Sequence, residues 1–356
     1  MLRKTLPENK TLVIYDDIIY SLQKSGGISV YWKMLEDGIP VANRLVYDGR
    51  TANIFYKQRD NERAYTSRLL FERYRNVRLK ESEPFIFHSS YYRCCKDKGA
   101  VNITTVHDFT YERFRSDFKS GLHKIQKKNA VMHSDGVICI SENTRQDLHR
   151  HYPDYNGKVR VIYHGYDDAV FVSSSMGIGR RNQTVLFVGS RVSYKRFDFA
   201  VRLVSEFPQL RLLIVGGGDL SASETTLLDS AIPNRYEKHG FVANEDLARL
   251  YNESFALLYP SEYEGFGFPV IEAQACGCPV ICQRKSSVPE VSGDKCVYVD
   301  SADFGVSVEA VRKLFDPLYY AGLQESALEN VKRFSWQKCV RETVAFYEEC
   351  FGGKFC

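Results

Sequence analysis

Eight short apolar runs, each closed by a polar turn or a helical pattern, constrain this chain more than any other feature. The first four are Thr11-Leu-Val-Ile-Tyr15, Pro84-Phe-Ile-Phe-His88, Asn102-Ile-Thr-Thr-Val106 and Gly136-Val-Ile-Cys-Ile140. Four more follow at Val185–Val188, Leu212–Val215, Ala256–Tyr259 and Val280–Cys282. Runs this short and rich in β-branched residues read as buried strands. Strands alternating with helices build a parallel sheet, so the fold class is α/β. The polar stretch Ser173–Asn182 separates the two series, and 356 residues exceed the usual span of one domain. The predicted organisation is an N-terminal domain over 1–170, a linker at 171–182, a C-terminal domain over 183–335 and a closing helix within 336–356. Val340, Val344 and Tyr347 share one face of that helix.

Ligands of open α/β sheets gather at the carboxyl ends of the strands, so chemistry is sought in the turns that follow them. The densest turn is Ser261-Glu-Tyr-Glu-Gly-Phe-Gly-Phe-Pro-Val-Ile-Glu-Ala-Gln-Ala-Cys-Gly277. Gly265 and Gly267 permit close backbone approach, and Pro269 suits the first turn of a helix beginning near Phe268. Such a helix start presents unpaired N–H groups and the positive end of a dipole to a phosphate-bearing ligand. Glu264 precedes the helix and Glu272 lies one turn inside it. The two carboxylates suit hydroxyl-rich parts of one extended ligand. Taken alone, the segment also fits an ordinary strand-loop-helix junction with solvated acids. Arg191 and Lys195 place two cations after the Val185–Val188 run, and Gly26-Gly27, His88, Arg93 and His107-Asp108 occupy comparable turns.

Composition narrows the partners. Residues 1–170 carry 28 Lys+Arg against 21 Asp+Glu, a net charge of +7, and the remainder carries −3. The excess centres on Arg63, Arg68, Arg73, Arg75, Arg78 and Lys80, with Arg113, Arg115, Lys119, Lys124, Lys127 and Lys128 beyond. An anionic leaflet, a lipid-diphosphate acceptor or a merely solvated helix face each fits this pattern. Nucleic acid is not expected, since no nucleic-acid module accompanies the charge. No apolar run approaches the roughly 20 residues that cross a bilayer. The ten cysteines are scattered, and the opening Met1–Lys10 lacks the apolar core of a signal peptide, so reduced thiols and a cytoplasmic location are expected. Cys276, Cys278 and Cys282 lack a matching Cys/His pair and read as small buried residues rather than metal ligands.

The Glu264/Glu272 pattern resembles the Glu-x7-Glu motif of retaining glycosyltransferase family 4, whose members have the two-domain GT-B fold. Val185-Leu-Phe-Val-Gly-Ser-Arg191 with Tyr194-Lys-Arg196 is similar to that family's strand and basic turn, and Ser286-Ser-Val-Pro-Glu-Val-Ser-Gly-Asp294 to its loop after the next strand. Gly26-Gly27, His88-Ser-Ser-Tyr-Tyr-Arg93, Thr105-Val-His-Asp108 and Ile140-Ser-Glu-Asn-Thr-Arg145 fall in the family's order. The resemblance implies two Rossmann-like domains whose parallel sheets face across a cleft, with the closing helix returning to the first domain.

It also implies a reaction, in which a sugar passes from a nucleoside diphosphate donor to a hydroxyl acceptor with its configuration retained. Glu272 would hold the ribose, and Glu264 with the backbone at Phe266 and Gly267 would hold the donor sugar. Arg191, Lys195, Gly27 and the helix start at Phe268 would meet the diphosphate. The resemblance sets His107 beside the donor sugar, the Gly216 turn near the nucleotide and Val242 against the base. It leaves His88, Arg93 and Asp108 for the acceptor side. Glu264 as a nucleophile in a double displacement is the second mechanistic reading. No cofactor is expected, and two cations with a helix end make a metal unnecessary for the diphosphate. GDP-mannose leads as donor with UDP-sugars open, and the acceptor is a glycan or a lipid-linked glycan in surface polysaccharide synthesis, at the inner face of a membrane or in the cytoplasm. Rival classes are a nucleotide-sugar epimerase and a non-catalytic nucleotide-sugar-binding subunit. The acids match the transferase motif rather than flanking positions for an epimerase.

Overall fold

The computed structural model describes residues 12–39, 43–47, 53–58, 62–65, 72–174 and 182–352. The chain divides into two compact units, one of residues 1–165 with 336–356 and one of residues 166–335. The division thus falls at Gly165/Tyr166, ahead of the expected end at residue 170. The reason is local: Phe171 is buried with its ring 6.2 Å from that of Tyr251, and Asn252 bonds both Ser174 N at 2.7 Å and Val172 O at 2.9 Å. Of the expected linker, 175–181 lie outside the described residues, as do Met1–Thr11 and Arg68.

The first unit contains β1 (Leu12–Asp16), β2 (Asn43–Tyr47), β3 (Glu62–Tyr65), β4 (Phe85–Ser89), β5 (Ala100–Val106), β6 (Gly136–Cys139) and β7 (Lys158–Val161). They form one sheet in the order β3-β2-β1-β4-β5-β6-β7, every described pair parallel. All five residues of β4 are buried, as expected where helices cover both faces of a parallel sheet. The helix Trp336–Phe351 belongs to this unit and turns Trp336, Cys339, Thr343, Phe346 and Tyr347 inward, with Val340 and Val344 half-buried beside them. It approaches the helix Gly27–Gly38 so closely that a Cβ at Gly38 would stand 2.6 Å from Val340 Cγ2.

The second unit contains β8 (Thr184–Val188), β9 (Arg211–Val215), β10 (Tyr236–His239), β11 (Ala256–Tyr259), β12 (Val280–Gln283) and β13 (Val297–Val299). Their order is β10-β9-β8-β11-β12-β13, again parallel throughout. Val185, Phe187, Leu212, Ile214, Leu258 and Ile281 from the strands pack with Phe199, Val201 and Tyr320 from the helices into its core. Among the described residues no helix is long and apolar enough to cross a membrane.

Candidate active site

Strand order locates the crevice in the second unit. From β8 the chain runs outward to β9 and β10, then returns to β11 on the other flank of β8, so the loops leaving β8 and β11 diverge at the carboxyl edge. Those two loops carry Lys195 and Glu264. Lys195 Nζ donates to Glu264 Oε1 at 2.5 Å and to the Tyr259 hydroxyl at 3.3 Å, and each charged side chain is 14% exposed. Glu262 N donates to Tyr194 O at 2.8 Å, and Arg196 Nη1 to Glu262 Oε1 at 2.8 Å, which ties the loops beside the pair. Burial, reinforced by the Glu264 carboxylate, pushes the Tyr259 hydroxyl well up, so it stays a neutral donor.

The Glu264 loop is pinned from a third strand. Ser286 Oγ accepts from Glu264 N at 2.9 Å and donates to Glu264 O at 2.5 Å. Ser287 Oγ lies 2.9 Å from both Glu264 O and Phe266 O, and its single proton serves one at a time. The helix Phe268–Ala275 follows, with Gly267 as its N-cap at φ 109°, which brings no side chain of its own to the cap, and Pro269 in its first turn. The positive end of a helix dipole favours an anion there. The Phe266 ring is buried and packs on Phe268 and Phe334. One turn in, Glu272 accepts from the Tyr251 hydroxyl at 3.2 Å. Burial raises its carboxyl to about 7, against the lowering pull of that hydrogen bond. Glu264 and Glu272 therefore have separate partners and separate electrostatics.

Arg191 departs from expectation. Its side chain is only 3% exposed, and Nε donates to Glu224 Oε1 at 2.8 Å. Nη1 reaches Gly216 O at 3.1 Å, and Nη2 reaches the carbonyls of Gly217, Gly218 and Asp219 at 3.3, 3.2 and 2.7 Å. The fork expected to face a leaving diphosphate is committed to the glycine turn. Gly216, Gly217 and Gly218 all adopt positive φ, and a Cβ at Gly217 would stand 2.6 Å from Arg191 Nη1 and 2.7 Å from Gly189 O. Arg191 is thus a positioning residue for that turn. Gly216 N in turn bonds His239 O and Gly240 O, both at 3.1 Å, at the root of the loop that bears half-buried Val242 and exposed Phe241.

In the first unit the corresponding crossover lies between β1 and β4, where Ser90 N and Oγ both donate to Asp16 O and Ile19 N donates to Ser90 Oγ. Gly26 caps the helix that Gly27 begins. Two acceptor-side expectations are corrected. His88 sits inside β4, fully buried, with Nδ1 2.6 Å from the Tyr347 hydroxyl and Nε2 2.9 Å from Thr105 Oγ1. Arg93, with its side chain wholly buried, bonds Arg75 O at 2.8 Å, Glu72 Oε1 at 2.6 Å and Asp16 Oδ1 at 3.4 Å. Both are spent on the core, because each polar atom taken out of water needs a partner there. Asp108 is half-buried and accepts from Thr110 N at 2.9 Å.

His107 is different. It follows β5 with its ring 5.4 Å from Tyr31 and 5.9 Å from His164, and its buried Nε2 meets no hydrogen-bond partner among the described residues. Burial brings the imidazole down to about 4, Asp108 opposing and Lys127 assisting, so it is neutral near pH 7. Tyr259 and Tyr251 bond Lys195 and Glu272 without any motif marking them, and Ser286 and Ser287 lay in the 286–294 loop without an assigned role. The available signal was Tyr259 ending an apolar run and a serine pair opening the next loop; Tyr251, inside the helix Asn244–Glu253, gave none. Cys276, Cys278 and Cys282 are fully buried, and among the described residues no three His, Cys, Asp or Glu side chains are grouped to hold a metal ion.

Comparison with known proteins agrees with this geometry. The family model described as Glycosyl transferases group 1 matches residues 173–316, and that described as Glycosyltransferase Family 4 matches residues 43–170. The O-antigen chain mannosyltransferase B of Escherichia coli is 38% identical over 110 residues, 31% of this chain and 29% of that protein. A D-inositol 3-phosphate glycosyltransferase of Mycolicibacterium smegmatis is 27% identical over 241 residues, 64% of this chain and 55% of the relative. These matches span less than two thirds of the relatives' own length. Among solved structures, sucrose-phosphate synthase from Thermosynechococcus elongatus superposes with a TM-score of 0.75 at 19% identity, covering 96% of this chain and 100% of that one. HepE of Anabaena in complex with UDP-glucose gives 0.69 at 14% identity, covering 95% and 99%. Two parallel-sheet units, two family models that together take in most of the chain and such neighbours lead to one conclusion: the chain belongs to glycosyltransferase family 4 and has the GT-B fold.

Proposed function

We propose that this glycosyltransferase moves mannose from GDP-mannose to a hydroxyl of a glycan or lipid-linked acceptor in surface polysaccharide synthesis, with retention of anomeric configuration. The observation that carries the reading is the Lys195–Glu264 pair at the β8/β11 crossover, beside a helix start whose N-cap is Gly267. On donor binding, Lys195 turns from Glu264 to a diphosphate oxygen, and the released carboxylate accepts from donor-sugar hydroxyls. The N–H groups at Gly267 and Phe268 share the phosphate charge. Glu272 accepts from the ribose hydroxyls, and the Gly216 turn and Val242 border the nucleotide.

In the front-face step the bond from the anomeric carbon to the diphosphate breaks and the bond to the acceptor oxygen forms on the same face. The acceptor proton passes to the departing phosphate oxygen, so no side chain serves as general base. A cation and a helix terminus already stand where charge develops, so the reading asks for no resident metal. Mannose is favoured by the similarity to the O-antigen mannosyltransferase. A UDP-sugar donor is the second reading, favoured by solved neighbours that were crystallised with UDP or UDP-glucose.

A hydrolysis screen of the purified chain with GDP-mannose, UDP-glucose and UDP-N-acetylglucosamine tests both readings. We expect GDP release to exceed UDP release at least about tenfold, the discrimination a buried base pocket supplies. The reverse preference establishes the second reading, and turnover of no donor with any added glycan acceptor overturns both. The anomeric configuration of the product, read by NMR, tests retention.

A further inference from the structure

The helix Phe118–Met132 of the first unit is built inside out. Its buried face consists of Ser120, His123, Gln126, Lys127, Ala130 and Val131, most of them polar. Lys127, expected on a basic surface, is instead fully buried and donates to Glu112 Oε2 and Asp108 O, each at 2.8 Å. The outer face is apolar: Phe118 is 88% exposed, Ile125 68%, and Leu122 and Met132 37% each. At about 100° per residue these four fall within an arc of roughly 80°, opposite the buried residues. Helices on globular surfaces carry the reverse arrangement. Exposed Asn129 is the one polar residue within that arc; scattered apolar residues need no explanation, but four of the five on one face do.

Charge frames the stripe. Lys119 lies on one flank, half-exposed Lys124 and exposed Lys128 lie on the other, and exposed Arg113 and Arg115 stand just ahead of the helix. Between residues 113 and 132 the acids are Asp117 and no other. Asp117 is already committed as the N-cap, accepting from Ser120 N at 3.0 Å and from Ser120 Oγ at 2.6 Å.

We propose that this face docks the enzyme on an anionic phospholipid leaflet, the helix lying in the interfacial plane with Phe118, Leu122, Ile125 and Met132 among the acyl chains and the basic residues at headgroup level. Fifteen residues reach about 22 Å, enough to lie in the interface and too short to span it. The basic flanks choose the occupant. They repel a second copy of the same face and attract anionic headgroups. The inference stands apart from the donor reading, since none of the donor-site residues lies on this helix.

Flotation of the full chain with vesicles of phosphatidylglycerol and phosphatidylcholine, and with phosphatidylcholine alone, tests it. The wild type floats with the anionic vesicles and not with the neutral ones, and 0.5 M salt weakens its binding. Phe118→Ser/Ile125→Ser and, separately, Lys119→Glu/Lys128→Glu each lower partitioning at least about tenfold, with unchanged thermal midpoints and unchanged donor hydrolysis. The charge variant alters exposed residues only, so it decides the matter even should the apolar variant fold poorly. Wild-type failure to float with anionic vesicles, or undiminished flotation of the charge variant, overturns the proposal. So does a wild-type dimer that Phe118→Ser/Ile125→Ser dissolves, which would assign the face to a second copy.

Discussion

In the first unit the charged groups near the central strands turn inward, and in the second they meet in a loop crevice. Arg93, Asp16 and Glu72 form a network in which the arginine and Asp16 side chains are wholly buried. Lys195 and Glu264 form a pair that keeps 14% of each side chain in contact with solvent. The two arrangements share a sheet plan, with a crossover between β1 and β4 in one unit and between β8 and β11 in the other. They differ in what can be exchanged. A charge held in a dry network cannot leave its partners without stranding them, whereas a pair at a loop mouth can trade one partner for a ligand at small cost. Binding chemistry therefore belongs to the second kind of site, and a strand-end arginine is not by itself evidence of a ligand.

Arg93→Met gives the sharpest break of that contrast. Among the described residues it leaves buried Asp16 with only the Ser89 hydroxyl at 2.8 Å and Glu72 with only the distant Arg75 at 3.9 Å, and should lower the stability of the first unit by about 3 kcal/mol in denaturant unfolding. A loss below about 1 kcal/mol would place Arg93 with the exchangeable charges. Next in size, Lys195→Ala and Glu264→Gln should each reduce transfer or donor hydrolysis by about 10²–10³-fold, the usual effect of removing one preorganised charge or acceptor from a developing transition state. Their unfolding midpoints should move little, because the pair is partly solvated. Normal turnover in both variants would remove the pair from the chemistry.

The same contrast explains what the amino-acid order disclosed. The buried central strands were legible because burial on both faces demands uninterrupted apolar runs, as in Val185–Val188 and Ala256–Tyr259. The strands that escaped include three at sheet edges, β3, β7 and β10, where Glu62-Arg-Ala-Tyr65, Lys158-Val-Arg-Val161 and Tyr236-Glu-Lys-His239 carry charge. Edge strands admit such residues, which blunt unwanted pairing and hide the strand from a hydrophobic reading. In the second unit, the glycines of the 261–277 turn and Pro269 pointed to a helix beginning near Phe268, and the helix Phe268–Ala275 is there. What spacing could not convey was where an arginine fork is spent: Arg191 grips the Gly216–Asp219 carbonyls, and Arg93 the core.

Ser287 is a finer probe, since its hydroxyl bonds the loop carbonyls of Glu264 or Phe266 rather than any reacting atom. Ser287→Ala should cost about 1 kcal/mol of stability and raise the donor KM about fivefold with kcat nearly intact. A fall in kcat alone would mean that the loop is ordered by the donor and owes nothing to this hydroxyl.

The smallest expected effect is a pair of pH slopes of opposite sign. Glu272 titrates near 7 in the folded chain, above its ordinary 4.5, because burial disfavours the carboxylate. The folded state then holds a proton that the unfolded state releases, so the second unit loses stability as pH rises from about 4.5 to about 7. In the first unit burial takes His88 down to about 3 and His107 to about 4, against an ordinary 6.5, and takes His164 well below it. There the unfolded state binds the extra protons, so stability is lost as pH falls from about 6.5 toward 4. Hydrogen-exchange protection of the 268–275 helix and of β4 and β5, followed from pH 4.5 to 7, should show the two trends of opposite sign. Glu272→Gln should flatten the first and leave the second untouched. The same variant should make the donor KM independent of pH in this window, because the amide oxygen accepts from ribose hydroxyls in one protonation state. An unaltered slope in Glu272→Gln would mean that burial does not hold a proton on this carboxyl, and the electrostatic ground for setting Glu272 apart from the Lys195–Glu264 pair would fail.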